Sequence, residues 1–164
     1  MQEIGYDRAS ALAYARRWAL SRNPEYYDFA DVGGDCTSFA SQCLYAGTGV
    51  MNYTPTYGWY YISGYDKSPS WSGVNYFYNF ITTNAGVGPY GEETGEDEMQ
   101  PGDIIQLGTN RGIFYHTLVL TGIQSTRRGR RFLVSAHNND AYMRRLSTYS
   151  YGAIRYIHIL GARI

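Results

Sequence analysis

Apolar residues recur at helical spacing in three stretches of this chain and fall into strand-like runs in four more. Over residues 7–21, DRASALAYARRWALS, the side chains of Ala11, Leu12, Ala15, Trp18 and Ala19 share one face. With Asp7 to cap the start and Asn23-Pro24 to end it, this pattern predicts an amphipathic helix. A tyrosine-rich connector leads to a second helix, in which Phe39, Ala40, Cys43 and Leu44 form the inward stripe and Gly47 supplies the stop. A third spans 74–83, where Val74, Phe77, Tyr78 and Ile81 line up. Residues 48–73 keep no steady period and read as a long structured loop. The acidic segment 91–98 reads as solvated surface. Strand signals follow in QPGDIIQL at 100–107, FYHTLVLTGI at 114–123, RFLVSAH at 131–137 and AIRYIHIL at 153–160. The basic turn between the second and third of these reads as an exposed hairpin tip. Helices first and strands afterwards predict an α+β fold, with N-terminal helices packed on a C-terminal antiparallel sheet.

Composition narrows the classes of function. The 164 residues suit a single domain, 1–164, with a sizeable core. A formal net charge of zero argues against nucleic acid as a partner. No apolar run is long enough to span a bilayer. The start of the chain, MQEIGYDRASALAYARRW, lacks the basic, apolar and small-residue regions of a secretory leader, which keeps a cytoplasmic location open. Eighteen tyrosines, seven of them clustered between residues 53 and 78, offer flat apolar faces with polar tips of the kind that suit glycans and peptides. Nothing in the sequence calls for a metal, nucleotide or organic cofactor.

The chemistry centres on GGDCTSFASQCLYAG at 33–47. Asp35 stands where a helix N-cap belongs, which places Cys36 in the first turn. Unpaired backbone N–H groups and the positive end of the helix dipole gather there. Both would lower a thiol's pKa, and the same N–H groups could hold an oxyanion. Cys43 lies in the apolar stripe and reads as a small core residue. Seven residues of helix separate the two sulfurs by roughly 10 Å, too far for a disulfide. The same spacing is a poor match to common zinc sites, so a zinc centre built from both cysteines and two histidines is the weaker chemistry. A catalytic thiol needs a base. His116 opens a strand and shares a face with Leu118 and Leu120; if that face packs on the helix, the imidazole points toward the helix start. His137 ends the next strand and could orient that imidazole, as could Asn138, Asn139 or Asp140. His158, between two isoleucines, reads as structural and outward-facing.

These residues resemble the bacterial "putative amidase" domain family, in the papain-like superfamily with the NlpC-type and CHAP cell-wall hydrolases. The likeness runs through YDRASALAYARRWA, NPEYYDF, GGDCTSFASQCLYAG, WYY at 59–61, SW at 70–71, QPGDIIQL, YHTLVLTG and VSAHNND. It implies a cysteine hydrolase with catalytic Cys36 and His116 and, on the next strand, His137 as the third member, with Asn138 and Asp140 open. It also implies cleavage of an amide in peptidoglycan, in the stem peptide or its link to muramic acid, in the envelope or outside the cell. Asp35, Tyr57, Trp59 and Trp71 are the candidate substrate contacts. Two other functions fit the same fold: a non-catalytic glycan- or peptide-binding module, and an acyltransferase.

Overall fold

The computed structural model describes all 164 residues. In chain order it contains β1 (Glu3–Ile4), α1 (Arg8–Trp18), α2 (Cys36–Thr48), β2 (Tyr61–Ser63), β3 (Asp66–Lys67), α3 (Pro69–Ser72) and α4 (Val74–Thr83). The strands β4 (Gly88–Thr94), β5 (Ile104–Gly108), β6 (Phe114–Thr126), β7 (Gly129–Ala136), β8 (Ala141–Arg145) and β9 (Ala153–Arg163) follow.

Asp7 caps α1 as the sequence suggests, its carboxylate accepting the Ser10 backbone N–H at 3.1 Å. Ala11, Ala15 and Ala19 are fully buried. In α2 the predicted stripe of Phe39, Ala40, Cys43 and Leu44 has no exposed surface, and every residue from Cys36 to Leu44 is buried. A helix covered on all sides is a core helix, not a surface one. Its stop is Gly49, at φ +69°, and not Gly47. Gly47 stays helical because the Tyr6 ring and the Asp7 carbonyl occupy the space a Cβ would need.

The helices pack on a curled antiparallel sheet of order β1-β9-β5-β6-β7-β8, with β4 paired along the other edge of β9. The α+β expectation therefore holds. Register shifts interrupt β6 against both neighbours, at Phe114–His116 opposite β5 and at Leu120–Gly122 opposite β7. Such bulges increase local twist and curl the sheet. One core, between helices and sheet, contains Phe39, Leu44, Trp59, Trp71, Phe77, Ile104, Val119 and Ile157. A second, on the other face, contains Met99, Ile105, Leu107, Leu118, Leu120, Val134 and Ala136.

Several elements differ from the sequence reading. The segment read as acidic loop begins within β4, whose Glu92 and Glu93 face solvent along an edge strand. β8 follows β7 through a hairpin in which Asn138 and Asn139 take φ of 62° and 60°. Two successive left-handed residues make the tight turn that suits strand twist, and Asn tolerates them. The long loop at 48–73 contains the β2–β3 hairpin and α3. Asp103, fully buried in the PGD turn, accepts from Arg8 at 2.8 Å, Gln100 N–H at 2.8 Å and Ile159 N–H at 2.9 Å, and faces His158 Nδ1 at 2.8 Å. His158 is thus structural, though tied inward to Asp103.

Candidate active site

Two glycines set the approach to Cys36. Gly33 and Gly34 take φ of +84° and +99°, which other residues rarely adopt. A Cβ on Gly34 would also strike the Asn138 side-chain amide. Asn138 belongs to this turn: its Oδ1 accepts the Asp35 backbone N–H at 3.1 Å. The β7–β8 hairpin and the entry to α2 are therefore fastened to each other.

Asp35 occupies the N-cap position but does not cap. Its carboxylate, 1% exposed, turns back to accept the Phe29 N–H at 2.9 Å and to meet His137 Nδ1 at 2.5 Å. The first intrahelical bond runs from Phe39 N–H to the Asp35 carbonyl. The N–H groups of Cys36, Thr37 and Ser38 consequently have neither an intrahelical acceptor nor a side-chain cap.

Cys36 begins the helix as a free thiol with 6% of its surface exposed. Its Sγ lies 3.8 Å from Thr37 Oγ1, and the backbone amide of Thr117 on β6 is close enough to influence its titration. Burial pushes the thiol above its ordinary value, the nearby Asp35 charge adds to that, and the donors from Thr117 and Thr37 oppose it. The helix-terminus expectation of a lowered thiol is corrected here. Desolvation of an anion outweighs a partial dipole when the sulfur is this deeply covered.

Thr37 and Thr117 share a hydroxyl bond of 2.8 Å across the helix–sheet interface. The β6 face that packs on α2 therefore carries Thr117 and Val119, while Leu118 and Leu120 face the second core. His116 does share the face of Leu118 and Leu120, but that is not the face covered by α2. Its ring lies 6.1 Å from that of Tyr149. Burial, with the Arg144 guanidinium as a lesser cause, lowers its pKa, so the imidazole stays neutral below the usual histidine range. The start of α2 is thus fastened to β6 at Thr117, the residue after His116, while the His116 ring lies on the other face.

His137 is 1% exposed and stacked on Phe39 at 4.1 Å between ring centroids. Its Nε2 donates to the Trp18 carbonyl at 2.8 Å, because a carbonyl only accepts. Nδ1 then shares one proton with Asp35. Both nitrogens are engaged, and neither bonds His116. Asp140 is held by Arg22 through contacts of 2.8 and 3.1 Å, and Asn138 by the Asp35 amide. No third residue of the expected set bonds the His116 ring.

The other motif residues hold the core. Ser38 accepts the Trp71 indole N–H at 3.2 Å, and Ser41 accepts that of Trp59 at 3.1 Å. Ser41 also donates to the Trp71 carbonyl, and Gln42 accepts the Tyr14 hydroxyl at 2.6 Å. Trp59 and Trp71 are fully buried and Asp35 almost so, which leaves all three out of reach as the substrate contacts the sequence suggests. Tyr57, 85% exposed, is available to a ligand. Thr117 is the residue that sequence reasoning missed, and its place next to His116 was the available signal. No group of three or more histidine, cysteine and acidic side chains is arranged to hold a metal ion. No helix is long and apolar enough to cross a membrane.

Comparison with known proteins bears on the class of chemistry. Residues 5–160 match the family described as "putative amidase domain". The chain belongs to this family. The family's description points to amide hydrolysis. An uncharacterized protein of Bacillus subtilis, YhbB, is 33% identical over 142 residues, which cover 85% of this chain and 43% of YhbB. The chain thus spans less than half the length of that relative. No solved structure matches it.

Proposed function

We propose that this domain is a papain-like cysteine hydrolase that cleaves an amide of peptidoglycan, in the stem peptide or at its link to muramic acid, in the cell envelope or outside it. The observation that carries the reading is the setting of Cys36. A free thiol stands at the first turn of a buried helix, beside uncapped backbone N–H groups and the amide of a strand residue that follows a histidine.

In this mechanism His116, whose ring rests beside Tyr149 on the sheet face away from α2, swings round the start of β6 to Cys36 and acts as the general base. Its neutral imidazole accepts the Cys36 proton as the sulfur attacks the amide carbonyl carbon. The C=O π electrons move onto oxygen, and the backbone N–H groups of the first turn of α2 hold that oxyanion. Collapse breaks the C–N bond, His116 returns the proton to the departing amine, and a thioester remains on Cys36. Water then attacks the thioester with His116 again taking a proton. The acid leaves, and the thiol recovers its proton. The raised thiol and lowered imidazole favour an uncharged resting pair, so proton transfer accompanies attack and no ion pair is stored beforehand. His137 and Asp35 support the turn before Cys36 as positioning residues.

The test is digestion of purified muropeptides followed by mass spectrometry. Shortened peptides or freed stem peptide with a new amine are expected. Muropeptides left intact by folded protein, alongside cleavage of unrelated amides, would overturn the substrate assignment.

A further inference from the structure

Away from Cys36, the structure holds a second cavity of about 480 Å³. Its walls come from the turn at 52–58, from α3 and from α4 with the residues that follow it. None belongs to α2 or β6. Its volume is in the range of small-ligand sites, which run from roughly 300 to 1,000 Å³.

The chemistry of its lining is unusual for this chain. Not one of its 13 residues is charged or a histidine. Threonine, serine and asparagine side chains supply hydroxyls and amides, and two tyrosines rise from the rim. Tyr57 exposes 85% of its surface and Tyr76 64%, the exposure of flat rings with no core to cover them. Asn79 and Thr83 stand on α4 three and seven residues beyond Tyr76, so all three lie along one side of that helix.

The site is also pre-formed. Asn52 accepts the Thr54 N–H at 2.9 Å and donates to the Val87 carbonyl at 2.9 Å. Asn84 donates to the Pro89 carbonyl at 2.9 Å, and Ser70 to the Gly58 carbonyl at 2.6 Å. The turn that lifts Tyr57 passes through Thr56 at φ +67°, a left-handed conformation held by the Gly58 N–H bond to the Thr54 carbonyl at 2.8 Å. Gly58 has no room for a Cβ against the carbonyls of Asn52 and Thr54. A strained turn fixed by several bonds sets the backbone from which the exposed ring projects before any ligand arrives.

We infer that this cavity is a binding site for a neutral oligosaccharide. Sugar rings offer apolar C–H faces that pack on exposed aromatic rings, and equatorial hydroxyls that both donate and accept. The Thr54 and Thr56 hydroxyls and the Asn79 amide, which make no bond within the protein, match that double character. A phosphate, carboxylate or ammonium ligand would find no counter-charge here. Peptides that add as strands, dock as amphipathic helices or carry charged motifs need open strand edges, apolar grooves or charge clusters, which these walls do not present. The site stands on its own residues, and it takes from the amidase reading only a use: to hold a glycan strand while a linked peptide is cut elsewhere on the domain.

The experiment is a titration of ¹⁵N-labelled protein with chitotetraose, cellotetraose and maltotetraose, followed by amide chemical shifts. At least one sugar is expected to move the signals of residues 54–58 and 76–84, with a Kd near or below about 1 mM. Tyr57→Ala and Tyr76→Ala should each weaken that binding about three- to tenfold, the worth of one aromatic contact. If none of the three sugars moves these signals, or if binding is undiminished in the double variant, the inference is wrong. Turnover plays no part in this readout, so its failure leaves the amidase reading untouched, and the reverse.

Discussion

Cys36 and His116 depart from ordinary titration in opposite directions, the thiol raised and the imidazole lowered. His116 has its pKa lowered from 6.5 by burial, with the Arg144 charge assisting. In a general-base mechanism the rate rises as His116 loses its proton, so the acid limb of kcat/KM should lie below pH 6.5. An acid limb above that value would remove His116 from the role of base. Stability follows the same group. The unfolded chain takes up the proton at the ordinary value and the folded chain only at lower pH. The contribution is therefore intact above pH 6.5 and is lost as pH falls below it. Urea midpoints measured down that range should fall less steeply in His116→Gln. The Asp35–His137 pair gives a second prediction at this scale. Both partners are 1% exposed, and removing Asp35 leaves His137 Nδ1 buried without its partner. Asp35→Ala should cost about 3–5 kcal/mol in urea denaturation. A loss under about 1 kcal/mol would mean that the pair is not a buried charge pair.

At the scale of elements, α2 explains why a motif that looks catalytic along its whole length contains one candidate nucleophile and a set of core anchors. Ser38 and Ser41 accept the indole N–H groups of Trp71 and Trp59, and Phe39 supports His137. Trp71→Ala should therefore destabilise the fold by about 3–5 kcal/mol, the usual cost of emptying a large core site. Tyr57→Ala, at a position 85% exposed, should change stability by no more than about 0.5 kcal/mol. Thermal or urea unfolding of the two variants separates these roles directly. The helices were legible in the sequence because their apolar stripes repeat: Phe39, Ala40, Cys43 and Leu44 are all at zero exposure. β4 was not, because an edge strand pairing only with β9 can carry Gly, Pro and Glu without an apolar alternation. Nor was the fate of the tryptophans. Sequence shows that Trp59 and Trp71 lie in an aromatic segment but not that buried serines on α2 await their N–H groups.

For the molecule as a whole, the curled sheet decides which residues can meet. Period-two alternation predicted correctly that His116 goes with Leu118 and Leu120, yet it could not say which face α2 covers. That depends on the pairing of β5, β6 and β9 and on two bulges in β6. Cys36 at the helix start and the strand face of His116 were legible, but not that this face lies away from α2. The assignment of His137 was not, because the Trp18 carbonyl and Asp35 that bind it come from segments 102 or more residues away. The measurement that bears most directly on the account is the rate of amide hydrolysis in the wild-type domain, Cys36→Ala and His116→Ala, with folding of each verified by circular dichroism. The account predicts a loss of about 10⁴-fold or more for Cys36→Ala and about 10²- to 10⁴-fold for His116→Ala. A folded Cys36→Ala protein that hydrolyses the amide at the wild-type rate would contradict it.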